Sequence, residues 1–582
     1  MGPLRTALVV SSIFVLSTVF TSSLAYGAGP VPTAMQRGLA ALKKGDLPVA
    51  RAAFEQAIQQ SPGNANAQAS LGWVLAQQGE NAAAATHLRS AIRLRPAFAD
   101  ARITLAGVLA HQGLAPEAEQ QLRAAIRSEP SNAEAHRMLG RVLSQPKPAD
   151  ALAELRRATE LAPERADLRD DLGSMLAQQR QDADAAAAFN EALRLDPNFA
   201  LAHLHLGALR LEESDADAAA AELSRAAALA PKNASGHFYL AKAFTAQSKP
   251  SDALRELHTA AELNPDWFEA QIALGLACQR APDTDCAVAA FAAATKLRPK
   301  DAEAFNDLGL ALLQQGSAER ATAVFQTAIA LRPEDASFRA NLGIAFLQRA
   351  DFDSAIRELE AANQISPRDA SIHYNLGLAY KLKDRLDQAI PELQRAIELQ
   401  PDLADAHYTL GVLYWQQGEF EKSAAELSSA IRYRPEFAEA HYTLGTVLKQ
   451  ENKLPEAAVE LREALRLQPD FAGAHTTLAA VLRLQGDAAG AASEAKAASS
   501  ISAANTSLQA AQFSSNSGRR LLENGDLNAA IAQFRAAIQS LETYAPAHRY
   551  LAQALLRQGH PDEATKEAAR ADELELAQIQ HN

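Results

Sequence analysis

Thirteen prolines constrain this chain more than any other feature. Pro62, Pro96, Pro130, Pro163, Pro197, Pro231, Pro265, Pro299, Pro333, Pro367, Pro401, Pro435 and Pro469 follow one another at steps of 34 residues, with one step of 33 from Pro130 to Pro163. A fixed period of this length marks a supersecondary unit used again and again, so a single closed globule is not the expected fold. In residues 370–403, ASIHYNLGLAYKLKDRLDQAIPELQRAIELQPDL, small and apolar residues recur at helical spacing in two runs with a turn between them. Leu376, Gly377 and Tyr380 stand at positions 7, 8 and 11 of this unit, Ala389, Leu393 and Ala396 at positions 20, 24 and 27, and Pro401 at position 32. Sixteen units can be framed in this way. Position 27 is Ala in all of them, position 20 is Ala in all but one (Ser423), and position 8 is Gly in twelve and Ala in four. Small side chains at three fixed points let two helix axes approach closely, and the larger residues at 7, 11 and 24 fill the space between those points. Gly45-Asp46, Gly418-Glu419 and Gly525-Asp526 mark the turn that closes an antiparallel pair near position 15. The prediction is an all-α chain whose stability comes from interfaces between neighbouring units.

The pattern resembles the tetratricopeptide repeat (TPR), which favours Trp at position 4, Leu at 7, Gly at 8, Tyr at 11, Ala at 20, Phe at 24, Ala at 27 and Pro at 32. The resemblance runs from residue 31 to 578. It implies a right-handed superhelical solenoid of about sixteen helix-turn-helix units, with first helices lining a concave groove. The array is also similar to the TPR arm of O-linked N-acetylglucosamine transferases, but the repeats leave almost no residues for a catalytic half. Position 4 departs from the family: it is His136, His203, His237, His373, His407, His441, His475 and His548 in eight units. The frame assigns residues 31–505 to units 1–14 and 511–578 to units 15–16, with 579–582 as a polar tail. A Ser/Asn/Ala-rich stretch, 499–516, shifts the register by five residues, placed at 506–510, and reads as an extended helix or a hinge.

The first 27 residues read as a secretory signal peptide. Arg5 supplies the positive start, Ala7 to Phe20 an uncharged and mostly apolar run, and Ala25 and Gly27 a small-residue cleavage site. Exported bacterial proteins of this repeat type are the expected company, in the periplasm or outside the cell. The alternative is an uncleaved inner-membrane anchor, since no charge stands between Arg5 and Arg37.

Composition removes several function classes. The net charge of −13 does not suit a general nucleic-acid binder. Two cysteines cannot build a Cys-based zinc or iron–sulfur framework. No phosphate-binding glycine loop, H-E-x-x-H or G-x-S-x-G occurs. Equivalent histidines in adjacent units should stand roughly 10 Å apart, the spacing of packed helices. That is too far for one metal ion, so the histidine column reads as packing. The sequence calls for no cofactor, no metal and no catalytic residue.

Two sets of residues stand out. Cys278 and Cys286 occupy positions 11 and 19 of one unit, either side of its turn, and in an exported protein are expected to form a disulfide across the hairpin. Positions 2, 5, 6, 9, 12 and 13 of each first helix should face the groove. In units 10–13 these positions hold Asn341, Tyr374, Asn375, Lys381, Tyr408, Thr409, Trp415, Tyr442, Thr443 and Lys449, a strip suited to an extended peptide. The family's carboxylate clamp needs Lys at 5 and Asn at 9, and no unit has either. The expected function is a non-enzymatic scaffold that binds proteins or peptides, in cell-envelope assembly or secretion.

Overall fold

The computed structural model describes residues 33–581, with side chains from 34 to 577. The leader at 1–27 lies outside the described residues, as do the side chains of the tail. The described residues form thirty-one α-helices and no strand. They alternate regularly. In unit 11 the first helix is Ala370–Leu382 and the second is Leu386–Leu399, and Pro401 stands in the loop beyond. Proline there cannot continue the helix and leaves the carbonyl of the last turn to be capped by the chain itself. Two compact bodies divide at the turn of unit 9, after Gly316. The first contains units 1–8 and the first helix of unit 9. The second contains the second helix of unit 9 and units 10–16.

The small residues do what their spacing predicts. A Cβ built on Gly377 would lie 2.8 Å from Leu393 Cγ, and one on Gly411 would lie 2.8 Å from Leu427 Cγ. In other units the position-24 side chain is Phe, and Phe54, Phe189, Phe291 and Phe534 press equally close on Gly38, Gly173, Gly275 and Gly518. Position 8 is thus a seat for the position-24 side chain of the same unit, and these side chains are fully buried. Ser423 keeps the close contact of position 20 because its hydroxyl donates to the Gly411 carbonyl at 2.8 Å. A buried hydroxyl without that acceptor would cost about 1–3 kcal/mol.

The turn between the paired helices uses a left-handed residue at position 15. Gly418 has φ +79°, and Ser214, Ala350 and Asn452 take φ between 57° and 63° at the same point. The step of 33 residues falls here. Unit 4 passes from Ala133–Leu143 to Pro148–Leu161 with no positive-φ residue in between. Aspartate then starts many of the second helices. Asp46, Asp283, Asp351 and Asp526 each accept a hydrogen bond from a backbone N–H of the first turn.

The stack changes at its C-terminal end. Ala488–Glu523 is one uninterrupted helix of 36 residues that serves as the second helix of unit 14 and the first helix of unit 15. Residues 506–510 lie inside it. No residue from 499 to 510 is buried. Helix Pro561–His581 closes the chain.

Candidate partner-binding surface

Within each body a first helix packs on its own second helix, and the second helix packs on the first helix of the next unit. First helices of successive units also touch: Ala336–Gln348 meets Ala370–Leu382, and Ala404–Gln416 meets Ala438–Gln450. Second helices make no comparable contact with one another among the described residues. First helices therefore crowd on the inner side locally, and their free faces form the inner surface.

The predicted strip lies on these helices, but much of its polar capacity is used within the protein. Tyr374, Asn375, Lys381, Tyr408, Trp415, Tyr442, Lys449 and Asn341 are half-buried. Thr409 and Thr443 are not on the open surface: each is 4% exposed. This corrects the expectation for these two threonines; Asn341 and Asn375, also at position 6, stay half-buried. Thr443 Oγ1 donates to the Glu439 carbonyl at 2.7 Å, and Thr409 shares a hydroxyl hydrogen bond with Tyr374. Burial, with Asp405 nearby, raises the Tyr374 phenol above its ordinary value, and burial lowers the Lys381 ammonium. Trp415 Nε1 donates to Gln450 Oε1 at 2.7 Å, tying two first helices together, and Asn375 Nδ2 donates to the Ser371 carbonyl at 2.8 Å.

Tyr408 and Tyr442, at position 5, have an internal partner that helical spacing alone does not reveal. Tyr408 packs on Phe437 at 4.8 Å between ring centroids and Tyr442 on Phe471 at 4.7 Å. Phe238 packs on Trp267 at 4.4 Å in the same relation, position 5 on position 34. An aromatic at both positions of one unit is the signal that would have found it. These contacts cover part of each ring, and Tyr408 and Tyr442 remain half-exposed.

The histidine column has a single repeated geometry. In each of the eight units, the position-4 Nδ1 faces a glutamate on the second helix: His136 meets Glu154, His203 Glu222, His237 Glu256, His373 Glu392, His407 Glu426, His441 Glu460, His475 Glu494 and His548 Glu567, at 2.5–2.7 Å. Nε2 faces a backbone carbonyl six residues earlier, that of the ladder proline in seven units and of Glu542 in the last. The imidazole thus clamps the first helix, the second helix and the preceding loop. Unit 2 swaps the partners, with His87 Nδ1 at 2.7 Å from Gln68 Oε1. At His136 the Glu154 hydrogen bond raises the ring pKa. At His407 and His441 burial opposes the charge, but the glutamate and the proline carbonyl outweigh it, so these rings too titrate above their ordinary value. At His136, His407 and His441 the charged ring, with hydrogen on both nitrogens, can donate to the glutamate and the proline carbonyl at once.

Several acidic residues at position 2 also have partners. Asp405 accepts from both terminal nitrogens of Arg434, and Glu269 pairs with Arg298, the arginine in each case standing at position 31 of the same unit. Glu134 is held by Arg165 and Arg137 in a part-buried network with Asp167 and Asp171.

Cys278 and Cys286 come together as a disulfide, with sulfurs 1.97 Å apart, between the last turn of Phe268–Arg280 and the first turn of Thr284–Leu297. A third residue stands beside them. His258, on the second helix of the preceding unit (Pro250–Leu263), brings Nε2 to 3.7 Å from Cys286 Sγ.

Family models decide what this architecture is. A model described as tetratricopeptide repeat matches residues 35–97, 143–200, 171–234, 280–336, 408–461, 442–505 and 516–574, which is more than half of the chain. The chain belongs to the tetratricopeptide repeat family. A second model of the same description matches 75–142 and 312–378, and a TPR repeat model matches 381–418. Similar solved structures include an APC/C hetero-tetramer, Cut9–Hcn1 (18% identity, 71% of this chain and 96% of that chain covered, TM-score 0.36). Others are YrrB, a TPR protein with an unusual peptide-binding site (23% identity, 32% and 96% covered, TM-score 0.28), and MamA (25% identity, 29% and 92% covered, TM-score 0.27). No curated protein matches the sequence. The resemblance to the arm of O-linked N-acetylglucosamine transferases is not shown by these matches. TPR arrays are protein-interaction scaffolds, and this chain is built as one.

Proposed function

We propose that this TPR chain is an exported, non-enzymatic scaffold in cell-envelope assembly or secretion. In this reading it binds protein or peptide partners along the inner surface of units 10–13. The observation that carries the reading is the row of half-buried aromatic and lysine side chains, one or more per unit, on consecutive first helices: Tyr374 and Lys381, Tyr408 and Trp415, Tyr442 and Lys449. Rings already partly covered lose little entropy when a partner covers the rest, and lysines at position 12 add attraction for an acidic segment. Thr409 and Thr443 drop out of the proposed contact set. Export rests on the leader at 1–27. No helix among the described residues is long and apolar enough to cross a membrane.

Cross-linking in the source cell, followed by identification of what is captured, tests the scaffold reading. Tyr408→Ala with Trp415→Ala should then reduce capture of that partner at least tenfold, with helicity unchanged. Capture at the wild-type level would remove units 10–13 from the proposal. Sequencing the mature N-terminus separates a cleaved leader from a retained anchor.

A further inference from the structure

The disulfide of unit 8 has a neighbour that a structural crosslink does not need. The candidate ligand atoms of His258, Cys278 and Cys286 all lie within 4.8 Å of one another. They come from three successive helices, so no local sequence motif announces them. Cys278 is fully buried and Cys286 half-buried, which places one sulfur in the core and the other toward solvent. The Cα atoms of the two cysteines are 5.8 Å apart.

This arrangement is compatible with a second state. In a tetrahedral zinc site, Zn–S bonds of about 2.3 Å and Zn–N bonds of about 2.0–2.1 Å place two sulfurs about 3.7 Å apart and a sulfur about 3.6 Å from a nitrogen. His258 Nε2 already stands 3.7 Å from Cys286 Sγ. The two sulfurs must separate, which cleavage of the bond between them permits by side-chain rotation, and Cys278 Sγ, already within 4.8 Å of His258 Nε2, must settle at about 3.6 Å from it. Two thiolates and an imidazole select a thiophilic cation over magnesium or calcium, and three protein ligands leave a fourth position for water or a partner's side chain.

We propose that the dithiol form of unit 8, together with His258, binds one zinc-like cation, and that disulfide and metal are alternative occupants of the same three residues. The step balances. A dithiol reductant gives two electrons and two protons to the Cys278–Cys286 bond and is itself oxidised to a disulfide. The two thiols then release two protons as Zn²⁺ binds their sulfurs, and neutral His258 supplies the Nε2 lone pair. The disulfide staples one hairpin. The metal instead joins unit 7 to unit 8, because His258 belongs to the preceding pair. The state of this site therefore sets which interface of the stack is covalently or coordinately held.

The test uses the full chain, oxidised or reduced with a phosphine that is then removed anaerobically, and titrated with Co²⁺ as a spectroscopic probe. The reduced protein should take up one equivalent showing the visible band of tetrahedral cobalt and a near-ultraviolet thiolate charge-transfer band, and Zn²⁺ should displace it. The oxidised protein should show neither band. His258→Ala in the reduced protein should weaken binding by at least about tenfold, since outer-shell partners alone are worth 10- to 100-fold. The comparison of the two redox states needs no variant and so does not depend on one folding. Absence of the charge-transfer band from reduced wild-type protein would overturn the proposal, and so would wild-type affinity in His258→Ala.

Discussion

The seat of position 24 on position 8 can be tested as a coupled pair. Gly377→Ala places a methyl group 2.8 Å from Leu393 Cγ and 3.2 Å from the Ala389 carbonyl. Overpacking of this kind costs about 1–3 kcal/mol, and replacing a helical glycine by alanine returns about 1 kcal/mol, for a net loss of roughly 1 kcal/mol. Leu393→Ala empties a fully buried site and should cost about 2–5 kcal/mol. In the double variant the two Leu393 carbons nearest the new methyl group are gone, and only the Ala389 carbonyl at 3.2 Å remains, a contact that a small shift of the helix relieves. Gly377→Ala then keeps its helix propensity and adds about 0.8 kcal/mol of buried methyl, so it should stabilise the Leu393→Ala background by roughly 1–2 kcal/mol. The sign of the same substitution reverses, with a coupling of about −2 to −3 kcal/mol. A long repeat array does not unfold in two states, so a global midpoint would blur the effect. Hydrogen exchange of amides in Ala370–Leu382 and Leu386–Leu399, in the full chain, reads the opening of unit 11 directly. If the two substitutions add to within about 0.5 kcal/mol, the close approach is not what selects glycine at position 8.

Three further outcomes follow from the geometry. His136, His407 and His441 have folded pKa values raised above the ordinary value. Their stabilisation is therefore complete below about pH 6.5 and is lost as pH rises through the folded values; amide protection in units 4, 12 and 13 should fall from pH 6 to 8.5, and titration of His407 by NMR at or below 6.5 would contradict the clamp. Gly418→Ala should cost about 1 kcal/mol in unit 12 through the left-handed backbone alone, since no atom lies within 4 Å of the added Cβ. Gly63→Ala, equally free of neighbours but without positive φ, is the control and should cost nothing measurable by the same exchange assay. Reduction of Cys278–Cys286 without added metal should lower the opening free energy of unit 8 by about 2.5 kcal/mol, the loop-closure value for so short a loop; unchanged exchange in Phe268–Arg280 would show that the bond contributes little there.

What the sequence made legible follows from recurrence. Glycine or alanine at position 8, alanine at 20 and 27, and proline at 32 repeat in nearly every unit because each meets the same neighbour each time. Helix pairing, turn position and core could be read from that alone. The histidine column was legible as a column and not as a clamp, because each glutamate partner lies 18 or 19 residues away on the other helix. Thr409 and Thr443 were misplaced for a related reason: whether Thr409 faces the inner surface or the preceding first helix depends on how far neighbouring units rotate, which helical spacing within one unit does not contain. His258 beside the cysteines was invisible because it occurs once, in a different unit, with no period to announce it.

The 36-residue helix behaves like a threaded rod. Its middle, residues 499–510, contains no buried residue and advances about 18 Å at 1.5 Å per residue. Removing one residue from that stretch would draw units 15–16 about 1.5 Å closer to unit 14 and swing them by about 100° about the rod's axis. Any ligand that must bridge unit 14 and the terminal pair therefore sees a fixed azimuth, tuned by residue count and indifferent to side-chain identity.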